Sequence, residues 1–219
     1  MTRSNDLNSE GVALLHKGRK VDALRNFREA MVCVQAEMAE LHDRQLEMIS
    51  ESSEHRILCV GVGSEEDALY SQSSPHNRVA LFNKAFALEL VNPDVGSGEL
   101  LTAIVLYNTG LYYHLCAIMS GNKGRFHKAK SIYRMGLDIL RGNEDASVDL
   151  SLLSMAIFTN LAHISSHFAM DAVARELLGL VKKILKTRSV YDDNHADEYS
   201  FFYLLSMSQQ GQLSPAPAA

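Results

Sequence analysis

In the stretch EGVALLHKGRKVDALRNFREA, residues 10 to 30, two kinds of residue recur at a spacing that one amphipathic helix does not need: small ones at Gly11, Ala23 and Ala30, and an aromatic at Phe27. Two short antiparallel helices joined at Gly18 do need it. A small residue facing a small residue lets two helix backbones approach to the short end of the usual 8–10 Å spacing. An aromatic four positions on then fills the wedge where the pair opens. The same punctuation returns at Gly110, Tyr113, Gly124, Ala129, Tyr133 and Gly136, and again at Ala162, Ser165, Ala174, Leu178 and Val181. Self-similarity of this kind constrains a fold before any single motif does. The first and third copies place twelve positions between their leading small residues and the second places nineteen, which predicts seven extra residues in its turn, around CAIMSGNKG.

The rest of the chain fits helices around one interruption. Val21 to about Ser50 contains neither Pro nor Gly, and Leu24, Phe27, Met31, Val34, Met38, Leu41 and Met48 follow steps of three and four with only Gln45 breaking the row, so one long helix is predicted. The stripe lacks paired charges beside it, which favours a packed domain helix over a coiled coil. Ile57 to Val62 reads as extended. The run RVALFNKAFALEL, residues 78 to 90, fits either a strand or a helix by periodicity; paired with Ile57 to Val62 it makes a β-hairpin around a polar loop at Ser64 to Pro75. Further helices are predicted from about Glu99 to Leu115, Arg125 to Leu140, Leu150 to Phe168 and Asp171 to Thr187. The expected fold is mainly α with a small inserted β-hairpin, in one domain over 1–210. It divides into a first repeat at about 4–50, the hairpin at about 52–90, repeats at about 99–141 and 150–187, a C-terminal segment at 196–208 and a flexible tail at 211–219.

The order of small residue, Tyr-like residue, turn Gly, Ala, aromatic and Ala resembles the tetratricopeptide repeat. The likeness is carried by Gly11 to Ala30, by NTGLYYHL with GRFHKAKSIYRMGLDIL, and more loosely by TNLAHISSHFAMDAVARELLGLVKKIL. About seventy residues separate the first copy from the second, and the family's Trp and closing Pro are absent, so the resemblance is to a divergent member. It implies antiparallel helical hairpins stacked in a superhelix, with a concave groove that binds a peptide or helix of a partner protein. The groove positions would be Asn8, Val12 and His16 in the first copy, Tyr107, Asn108, Leu111 and His114 in the second, and Asn160, His163 and His167 in the third. Asn108 and Asn160 recur at one repeat position. A carboxamide there can hold a peptide backbone with both a donor and an acceptor, or can satisfy a neighbouring helix end. Members that clamp a chaperone's acidic tail use cations at groove positions that here carry Asn8, Ala156 and Asn160, which argues against that partner.

Charge and motifs narrow the function. The net charge is −5, and the 21 Lys and Arg are scattered, so no phosphate-tracking stripe for nucleic acid is visible. No run reaches the roughly 18 apolar residues of a membrane span. Cys33, Cys59 and Cys116 lie far apart and read as reduced thiols, which with the polar N-terminus points to cytoplasm or nucleus. His163 and His167 share a helix face, and with His114 they give the alternative of a metal-binding protein or enzyme, but H-I-S-S-H lacks the glutamate of a zinc-protease helix. Gly61-Val62-Gly63 has no third glycine for a phosphate cradle. Asp192, Asp193, Asp197 and Glu198 read as a solvated acidic approach to YSFFYLLSM. The expectation is a non-enzymatic protein-interaction module or scaffold with no cofactor and no metal. A structural subunit whose groove is filled by its own apolar tail is the other alternative.

Overall fold

The computed structural model describes residues 2–44, 55–62, 79–90, 98–141, 148–187 and 195–211. Among these are seven helices and one two-stranded antiparallel sheet, as a mainly α fold with a small β-hairpin. The chain forms two compact units: one of Met1–Tyr70 with Asn83–Asp145, the other of Ser71–Phe82 with Ala146–Ala219.

In the first unit, α1 (Thr2–His16) and α2 (Lys20–Arg44) form a helical hairpin. Gly18 ends α1 in the left-handed region at φ 75°, where a side chain would be strained. The turn is closed by Arg19 N donating to Leu14 O and Gly18 N to Leu15 O, the paired bonds of a Schellman cap. Ala23, Phe27 and Ala30 are fully buried. A methyl group on Gly11 would stand 2.5 Å from Phe27 Cε1, so this glycine exists to admit the ring. Residues 45–50, the end of the predicted long helix, lie outside the described residues.

The second hairpin repeats the device one turn larger. Helix α3 (Gly98–Ser120) packs on α4 (Lys123–Arg141), and a methyl on Gly110 would stand 2.7 Å from Tyr133 Cε1. The seven extra residues are not in a longer turn. Gly121 lies eleven positions after Gly110, where Gly18 lies seven after Gly11; Tyr133 lies twelve after Gly121, where Phe27 lies nine after Gly18. Four and three residues are each close to one helical turn, so both helices lengthen with the glycine–aromatic contact in phase. The turn glycine is therefore Gly121, at φ 62°, and not Gly124, which sits in the first turn of α4. Asn122 caps that helix, its Oδ1 accepting from Gly124 N at 2.9 Å and Arg125 N at 3.3 Å. By length and composition α3 could cross a membrane, yet 78% of its most apolar stretch is buried in the fold, as a core helix.

The ambiguous run is a strand from Lys84 to Leu90, and residues 79–83 before it are irregular. β1 (His55–Gly61) pairs antiparallel with β2 (Lys84–Leu90), with Ile57 opposite Leu88 and Cys59 opposite Phe86. Val62 N donating to Asn83 O at 2.9 Å continues the ladder. Ala85 to Leu88 are all buried, so β2 is covered on both faces, and it packs against α1 and α3. The loop at 64–75, the break at 91–97 and the tail beyond 211 lie outside the described residues.

The described residues of the second unit form α5 (Val148–His167), α6 (Asp171–Thr187), α7 (Ala196–Gly211) and the irregular stretch 79–82. Val79, Ala162, Ala174, Leu178 and Leu205 share its core. Phe82 stacks on Phe202 with ring centroids 4.9 Å apart and leans on Phe201 at 5.4 Å. The apolar run YSFFYLLSM thus packs as a helix. Glu198 is buried and faces His195 at 3.8 Å, so it does not belong to a solvated acidic patch; Asp192 and Asp193 lie outside the described residues.

Candidate functional site: asparagine clamps on an extended segment

In an antiparallel pair, alternate residues of a strand turn their backbone N–H and C=O away from the partner strand. The register gives that role on β2 to Lys84, Phe86 and Leu88. Side chains of α1 and α3 meet each of them. Asn108 Oδ1 accepts from Phe86 N at 2.9 Å, and its Nδ2 donates to Phe86 O at 2.7 Å and to Asn8 Oδ1 at 2.8 Å. Asn8 Nδ2 donates to the same Phe86 O at 3.1 Å. Asn5 Nδ2 donates to Leu88 O at 2.8 Å and Tyr107 Oη to Lys84 O at 3.0 Å. Both amide orientations are fixed, because Asn108 must present its oxygen to an N–H and its nitrogen to two oxygens.

The second unit makes the same bond. Asn160 Oδ1 accepts from Phe82 N at 2.9 Å, and its Nδ2 donates to Phe82 O at 3.1 Å. Asn108 and Asn160 each hold both polar groups of one residue, and the residues held are four apart along the chain. On the other strand, His16 Nδ1 lies 2.7 Å from Gly61 O; with a carbonyl as partner, that nitrogen carries the proton.

The remaining groove candidates, His167 excepted, sit in cores. Val12 and Leu111 are buried. The His114 ring meets Phe126 and Tyr133 edge-on, at 5.6 and 6.0 Å between centroids. His163 is fully buried in the second unit. Burial, with a smaller push from the nearby His167, lowers its pKa to about 3, so the imidazole is neutral at pH 7. His167 is half-buried and packs on Phe168. His114 lies in the first unit and His163 and His167 in the second. Cys33, Cys59 and Cys116 are not joined in disulfides.

The clamp is neutral amide and hydroxyl throughout, suited to binding peptide backbone without reading charge. Asn5 is a member that sequence reasoning passed over. Its signal was present: it precedes Asn8 by three positions, on the same helix face. No protein-family model matches the chain, and neither a curated protein nor a solved structure matches it.

Proposed function

We propose that the protein is a non-enzymatic scaffold of tetratricopeptide-like helical hairpins whose asparagine clamps, one in each unit, are filled by the chain's own backbone, leaving the outward faces of its helices to engage partner proteins. The observation that carries this reading is the use of Asn108 and Asn160 at equivalent positions, each to bind the N–H and C=O of one residue of the chain itself. Filling from within is supported by burial: Phe86 is fully buried and Phe82 nearly so, which suits a segment that is part of the core better than a ligand that comes and goes. The filling residues are 79–82 in the second unit and 83–90 in the first, where the sequence had suggested the C-terminal YSFFYLLSM.

A labelled synthetic peptide of residues 79–90 tests the filled clamp. The intact protein is expected not to bind it, while saturable binding that releases the native strand would show an open, exchanging groove. The scaffold role is tested by cross-linking captured partners to the protein and mapping the contacts. Cross-links on outward helix faces are expected, and failure to recover any partner would remove the role.

A further inference from the structure

Helices α3 and α4 carry a charge asymmetry in a chain that is acidic as a whole. Between Glu99 and Asp138 there is no Asp or Glu, whereas Lys123, Arg125, Lys128, Lys130 and Arg134 all fall in that stretch. The fold adds to it from α2. Arg28 Nη2 donates to Tyr113 Oη at 3.1 Å, and Lys128 Nζ stands 4.4 Å from the centre of the same ring. Arg125 Nη1 reaches Ser120 Oγ at 3.4 Å at the adjoining end of α3, and Lys20 reaches the sulfur of Met119.

The cations here are not balanced from within. Among the described residues, neither Arg28 nor Lys128 has a carboxylate partner. Asp22, on the same helix, is held by Arg19 and Arg25, and Glu29 makes no ion pair with its neighbour Arg28. The effect is felt at Tyr113: burial pushes its hydroxyl pKa up, but Lys128 and Arg28 together outweigh burial and hold it below the usual phenol value. At the same end of α3 as Ser120, Met119 touches Lys20 through its sulfur and is 62% exposed, so an apolar side chain lies open next to a cation there.

We propose that this face of the first unit, centred on Tyr113 between Arg28 and Lys128, docks a short acidic segment of a partner protein. Its carboxylates pair with Arg28, Lys128 and Arg125, and an apolar side chain of the same segment covers Met119. A short segment fits better than a long polyanion or an anionic membrane. At physiological salt, charges act over only about 8 Å, so a small ligand meets the local patch alone, whereas a long polyanion must also be accommodated by a chain whose net charge is −5. The face takes a protein as its occupant because the scaffold reading does; its chemistry does not depend on the strand clamp, and failure here leaves the clamp experiment untouched.

The probe is a fluorescein-labelled peptide of about ten residues, Asp and Glu around a central Leu, read by anisotropy at low and physiological salt. Expected is saturable binding that weakens several-fold as salt rises. The variant Arg28→Gln/Lys128→Gln should lose about tenfold or more in affinity with its helical circular dichroism unchanged, while Lys182→Gln/Lys183→Gln, on α6, should keep it. Since Arg28 also braces α2 to α3, Lys128→Glu alone is the second variant, and it should abolish binding in a folded protein. The proposal is overturned by absence of saturable binding, by equal affinity in the Lys128→Glu protein, or by an equal loss in the α6 variant. Tighter binding of single-stranded oligonucleotide or anionic vesicles than of the peptide would also overturn it.

Discussion

At the scale of single residues, the asparagines matter because an edge strand carries polar groups that must be satisfied when buried. Left unpaired, each buried N–H or C=O costs about 1–3 kcal/mol. Asn108 satisfies both groups of Phe86 and also the oxygen of Asn8. Asn108→Ala strands Phe86 N and Asn8 Oδ1, and is expected to lower stability by about 2–5 kcal/mol in a chemical denaturation curve. Asn108→Asp looks conservative and is expected to do more harm at pH 7, because a carboxylate sets a charged acceptor against Phe86 O and Asn8 Oδ1. Protonation returns one O–H donor, so its deficit relative to wild type at the same pH should shrink as pH falls from 7 to 4. A deficit independent of pH would show that the donor is not what the site requires. The sequence made Asn108 and Asn160 equivalent by repeat position. It could not show whose backbone they hold, since that depends on a strand brought in from 22 and 78 residues away.

At the scale of elements, helix hairpins set the geometry and their turns show where local sequence is at odds with backbone. The first and second hairpins end their leading helices on Gly18 and Gly121, both with positive φ. The third closes its turn with the same bond pattern, Met170 N to Ser165 O and Ala169 N to Ser166 O, but puts Ala169 at φ 56°. An alanine in the left-handed region costs about 1–2 kcal/mol, and glycine there offsets this by about 0.4–1 kcal/mol through the greater freedom of its unfolded chain. Ala169→Gly is therefore expected to stabilise the protein by about 0.5–1 kcal/mol, seen as a higher denaturation midpoint at unchanged slope. A lower midpoint would mean that the methyl group has packing value in the turn. The same comparison explains what was legible in the elements. Small–aromatic spacing located the hairpins because it reflects direct contact, Gly11 on Phe27 and Gly110 on Tyr133. Turn position in the second hairpin was misread because two glycines three residues apart, Gly121 and Gly124, both suit a helix end, and only the phase of the ring contact separates them.

At the scale of the whole molecule, two compact units with separate cores need not respond to solvent conditions alike. The second unit contains His163, with a native pKa of about 3 against 6.5 for the unfolded chain. Between those values the unfolded state binds a proton that the native state refuses, so stability rises with pH across the window and is lost as pH falls below about 6.5. From pH 7 to pH 5 the loss amounts to about 2 kcal/mol, in a range above the ordinary titration of carboxylates. Hydrogen exchange corrected for intrinsic rates should therefore accelerate about 25-fold in the most protected amides of α5 and α6. In His163→Gln, which has nothing to titrate at that position, the acceleration should largely vanish. An equal acceleration in every helix would instead mean that the two units open together and acid acts on the chain as one cooperative body.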